Sequence, residues 1–131
     1  MGLSPELMDA LANQLVLPIL RDFDKEDGRA IFAKLVVVFE GGVESREVHS
    51  RGANSPDESS GEVRIRVKDG YGKDSYNFAA ESIFNGVGSG TGFSGFAVRG
   101  KLTLADGQPR IRLIARTHRY NVWDWGDEFR L

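Results

Sequence analysis

From Leu7 onward, apolar residues return every fourth position at Leu11 and Leu15, with Met8 and Leu17 beside them. That period matches one face of an α-helix, so the pattern predicts an amphipathic helix running to about Leu17. Its start is marked by Ser4-Pro5-Glu6. A serine hydroxyl caps free amides, proline suits the first helical turn, and glutamate complements the positive end of the helix dipole. Pro18 has no amide hydrogen and predicts a kink or break, with Ile19, Leu20 and Phe23 continuing as a second short turn. Residues 24–28 read as a charged connector.

Further along, the period shortens to two. Residues 62–68 (EVRIRVK) place Val63, Ile65 and Val67 on one side and Arg64, Arg66 and Lys68 on the other. Residues 99–105 and 110–116 alternate in the same way around Asp106-Gly107, which predicts a hairpin with Leu102, Leu104, Ile111 and Leu113 facing a core. The stretch 29–39 is mixed. Val36-Val37-Val38 favours a buried strand, whereas Ala30, Ala33 and Lys34 suit a helix; a strand over 34–40, stopped by Gly41-Gly42, is the expectation. Residues 76–84 fit either a strand or a short helix. Residues 52–61 (GANSPDESSG) are rich in turn formers and read as a mobile loop. Together these elements predict an α+β fold over a single domain, 1–131. An N-terminal helix packs on a mostly antiparallel, half-barrel-like sheet.

Composition narrows the function classes. Hydrophobic residues make up 40% of the chain, enough for a core, and no residue is cysteine, so disulfide frameworks and thiolate metal sites are excluded. A net charge of -2 argues against a dedicated nucleic-acid binder, which usually carries a basic excess. The longest apolar run, 35–39, is far too short to span a bilayer, so no transmembrane segment is expected. The opening MGLSPELMDA lacks the basic start and apolar run of a signal peptide. Lack of cysteine fits a reducing cytoplasm and equally a toxin that crosses compartments, which leaves location open.

Four features carry candidate chemistry. Residues 90–95 (GTGFSG) satisfy the dinucleotide pattern G-x-G-x-x-G, but the strand-like sequence that follows leaves no helix to face a pyrophosphate, so a loop or bulged strand is expected. Arg64, Arg66, Lys68, Lys101, Arg110, Arg112 and Arg116 take outward positions. They make one side of the sheet basic, either as a phosphate-binding face or as an ordinary solvated one. The two histidines, His49 and His118, lack zinc-site spacing. Finally, residues 116–128 gather Arg116, His118, Arg119, Tyr120, Asn121, Trp123, Asp124, Trp125, Asp127 and Glu128 directly after a strand. Aromatics beside carboxylates and a histidine suit an acid/base or Mg²⁺ site, and equally a lid over the open end of the core. On a continuing strand, Asp124 faces opposite to Trp123 and Trp125, towards the basic side.

The last third resembles the catalytic region of the colicin M group of bacteriocins. That region has a glycine-containing strand, an Asp-Gly turn, another strand, then D-x-Y-D followed by His-Arg. Here 98–104 with Gly100, Asp106-Gly107 and 111–115 take the first places, and Tyr120-Asn121-Val122-Trp123-Asp124 falls where D-x-Y-D is expected. Asp124 matches the last acid. Asn121 stands for the first acid, Trp123 for the tyrosine, and His118-Arg119 precedes the motif. The resemblance implies Mg²⁺-dependent hydrolysis of a phosphoester in a lipid-linked peptidoglycan precursor. Asp124, His118, Arg119 and Asn121 would be catalytic, and Asp124, Asp127 and Glu128 would hold the metal. Arg116, Tyr120, Trp123 and Trp125 would bind substrate. It also implies an effector truncated or injected without its own translocation regions. Two other readings stand beside it. One is a non-catalytic immunity- or adaptor-type protein using the aromatic C-terminal segment as its partner interface. The other is a small ligand-binding half-barrel.

Overall fold

The computed structural model describes residues 4–51, 57–85, 93–106 and 108–119. The chain begins with one helical rod, α1 (Pro5–Ala10), a π-helical turn (Leu11–Val16) and α2 (Leu17–Asp27). Ser4 Oγ accepts from the Leu7 amide as the N-cap, with Pro5 in the first turn. The helix runs past Pro18 without ending. In the π-helical turn the amide of Leu17 donates five residues back, to Ala12. That wider turn immediately precedes Pro18, which then stands in the first turn of α2, where its missing N–H is tolerated. The helix also absorbs the expected connector, ending at Gly28, whose φ of 66° supplies the left-handed C-terminal residue.

Six strands follow: β1 (Arg29–Phe39), β2 (Gly42–His49), β3 (Asp57–Gly72), β4 (Ser75–Asn85), β5 (Phe93–Ala105) and β6 (Gln108–Arg119). They form one sheet in the order β2-β1-β3-β4-β5-β6, not closed into a barrel. All neighbours are antiparallel except β1 and β3, which run parallel. The fold is thus α+β, a helix on a mostly antiparallel sheet. One local expectation changes and one open choice is settled. β1 begins at Arg29, because residues 57–61 leave the supposed loop to pair with 29–33. Residues 76–84 are strand throughout. Residues 52–56 lie outside the described residues.

Glu40 and Gly41 both have positive φ (49° and 78°) between the paired Phe39 and Gly42, the backbone of a two-residue hairpin turn. Asp106, at φ 54°, opens the β5–β6 turn that the sequence predicts. Gly100 has a steric reason: a Cβ there would lie 2.3 Å from the Arg112 carbonyl oxygen and 2.7 Å from the Phe78 ring.

One face of the sheet receives the helix. Leu11, Leu20 and Phe23 pack against Leu35, Ile65, Phe78, Phe84, Phe96 and Leu102, all fully buried. Phe23 meets Phe84 edge-on, with ring centroids 5.4 Å apart. Leu102 is buried and Leu104 and Ile111 are partly so, but Leu113 is 45% exposed. It lies on the edge strand, so only one neighbour covers it.

Candidate functional site

The opposite face has no second layer among the described residues. Alternation places Arg64, Arg66 and Lys68 of β3, Arg99 and Lys101 of β5, and Arg110 and Arg112 of β6 on it. The carboxylates that alternation places on the same face of β3–β6, among the described residues, are Glu58 at the start of β3, Glu62 and Glu81. Glu62 and Glu81 each lie 3.2 Å from an arginine, Arg64 and Arg66 respectively. A chain that is acidic overall therefore concentrates positive charge on one sheet face.

The rows across the strands show how that charge is spaced. Arg66 lies opposite Ala79, which lies opposite Arg99, which lies opposite Ala115. Lys68, Asn77, Lys101 and Arg112 form the next row. Strands one apart stand about 10 Å from each other, so long basic side chains flank a floor of short ones. Ala97, although on this solvent side, is 0% exposed, and Ala79 is also buried. Arg99 Nε is itself buried and has no hydrogen-bond partner among the described residues. A buried donor left unmet costs about 1–3 kcal/mol. Beside this row, Lys101, Thr103, Arg110, Ile111 and Arg112 line an open depression of about 350 Å³.

Arg116 does not join this face. The pairing skips a residue between Leu113 (opposite Gly100) and Ala115 (opposite Arg99), so Ile114 bulges and the alternation shifts phase. Arg116 then stands opposite Val98, on the helix side, 3.5 Å from Asp22. There it lines a groove of about 250 Å³ between the helix and β6, with Leu15, Pro18, Ile19, Ile111 and Leu113 as its apolar walls. Ile111 borders both depressions. Leu113 and Ile114, 45% and 47% exposed, leave the β6 edge unusually apolar.

Of the other predicted site residues, His118 and Arg119 end β6, opposite Phe96 and Gly95, and their side chains lie outside the described residues. Tyr120, Asn121, Trp123, Asp124, Trp125, Asp127 and Glu128 lie wholly outside them. Among the described residues no group of three or more His, Asp or Glu side chains is placed to hold a metal ion. His49 packs edge-on against Phe32 with ring centroids 4.6 Å apart, a structural contact. The sequence pattern omitted Arg99 from the basic face, although it shares the phase of Lys101 two residues on. The end of the glycine-rich segment, from Phe93, is β5 and not the start of a helix.

Comparison with protein-family models, curated proteins and solved structures finds no match for this chain. No helix among the described residues is long and apolar enough to cross a membrane.

Proposed function

We propose that the chain is an antibacterial effector domain that hydrolyses a phosphoester in a lipid-linked peptidoglycan precursor. The observation that supports this most directly is the two-sided character of β6, an apolar groove towards the helix and a basic depression on the other side, meeting at Ile111. A lipid-linked diphosphate has matching halves. Its hydrocarbon gains by leaving water, and its oxygens are neutralised by guanidinium and ammonium groups. A groove of about 250 Å³ is smaller than a typical whole-ligand pocket, so it takes only the head-proximal part of a long chain.

The chemistry in this reading belongs to the C-terminal segment and comes from the colicin M resemblance. In it Asp124 would be the central carboxylate, His118, Arg119 and Asn121 its catalytic partners, and Arg116, Tyr120, Trp123 and Trp125 the residues that hold substrate. The oxygen donors of Asp124, Asp127 and Glu128 are of the kind Mg²⁺ selects, and the ion would offset charge on the phosphoryl oxygens. Incubating the chain with lipid II and Mg²⁺ and following the products by mass spectrometry tests the proposal. Release of the headgroup diphosphate is expected from the wild type, and none from Asp124→Asn with an unchanged melting temperature. An intact precursor after prolonged incubation contradicts it. The exposed Leu113 and Ile114 would then favour the second reading, an adaptor- or immunity-type protein that docks a partner along β6.

A further inference from the structure

We propose that the outer sheet face contains an anion subsite centred on Arg99, which takes a phosphoryl or diphosphate group on its Lys101 and Arg112 side, towards the depression those two residues line. It deepens the phosphoester reading by assigning the residues that hold the anionic head, and it stands on observations independent of hydrolysis.

Three observations converge. Arg99 lies between two alanines, Ala79 on β4 and Ala115 on β6, so no neighbouring side chain directly across offers its guanidinium an acceptor. Its Nε is buried with no partner among the described residues, and such a donor calls for an explanation. The nearest carboxylate across the strands, Glu81, is engaged by Arg66 at 3.2 Å and leaves the surrounding charge positive. Lys101 follows Arg99 on the same face of β5, and Arg112 lies opposite Lys101. A phosphoryl group entering from that depression, past Ala115, therefore meets the outer end of the Arg99 guanidinium. Ammonium and guanidinium groups from Lys101 and Arg112 approach from one side and Arg66 from the other. Guanidinium and phosphate match in a bidentate geometry that a single lysine does not offer. Compact phosphoryl groups fit this concentrated patch better than an extended nucleic acid, whose contacts spread along a longer basic stripe.

The test is calorimetric titration of the full chain with inorganic pyrophosphate at low salt. Saturable binding is expected, weakened by about tenfold or more in Arg99→Met, the loss of one good charge-assisted contact. Arg99→Met keeps the aliphatic stem and removes the unmet donor, so its melting temperature should equal or exceed that of the wild type. If that variant fails to fold, the double variant Lys101→Gln/Arg112→Gln, fully on the surface, should show the same loss. Arg46→Gln, on the helix side beside Asp9, should bind as the wild type does. No pyrophosphate binding, equal binding by Arg99→Met, or tighter binding of a short single-stranded DNA through the same residues overturns the subsite. A wild type that binds pyrophosphate but leaves lipid II intact keeps the subsite and removes the hydrolase.

Discussion

Ser50 joins the end of the helix to the sheet. Its hydroxyl donates to Asp24 Oδ2 at 3.0 Å and accepts from the Ile31 amide at 2.7 Å, while its own amide donates to the Ile31 carbonyl at 2.9 Å. Ser50 is 3% exposed, so the Ile31 amide has no water to turn to. Ser50→Ala should lower unfolding free energy by about 1–3 kcal/mol, read from urea denaturation. A change below ~0.5 kcal/mol would show that the amide finds another acceptor. Nothing in the sequence marks this serine, because its partners lie 19 and 26 residues away. Arg99 was hidden for a related reason. The residues that make it unusual, Ala79 and Ala115, are its neighbours only once three strands are in register.

At the scale of elements, strict alternation was the most readable signal. Residues 62–68 and the β5–β6 hairpin appear where the pattern of two places them, because half-buried strands leave an unambiguous imprint. The pattern failed where pairing departs from regularity. The bulge at Ile114 turns Arg116 from the basic face to the helix side, and the edge position of β6 leaves Leu113 half exposed. The helix outlasted its proline because a π-helical turn prepares the chain for it, a change of hydrogen bonding with no compositional mark. These packing differences predict unequal costs. Phe23→Ala removes a ring that is 1% exposed and contacts Phe84 and Phe96, and should cost about 3–5 kcal/mol. Leu113→Ala should cost about 1 kcal/mol or less, since truncating a half-exposed side chain opens no closed cavity. Equal losses for the two in chemical denaturation would contradict the placement of the helix over the sheet centre.

For the whole molecule, the arrangement is a helix and core on one side and an excess of positive charge on the other, with an apolar edge between them. The mean composition conceals this, because a net charge of -2 averages a basic sheet face with acidic residues elsewhere. The class of fold was legible from the sequence, as was the presence of a basic sheet face. Its coincidence with an apolar groove at β6 was not, since it depends on where the helix crosses the sheet. The C-terminal residues that the resemblance assigns to chemistry, Asp124 foremost, lie outside the described residues, so the β6 surfaces are where the account is most exposed to test. The most direct measurement is a heteronuclear NMR titration of the isotopically labelled chain with farnesyl diphosphate, a short prenyl diphosphate. The account predicts saturable amide shifts clustered at 99–103 and 110–113 on the sheet and at 15–19 on the helix. Shifts confined to β1 and β2, or none at millimolar ligand, would contradict it.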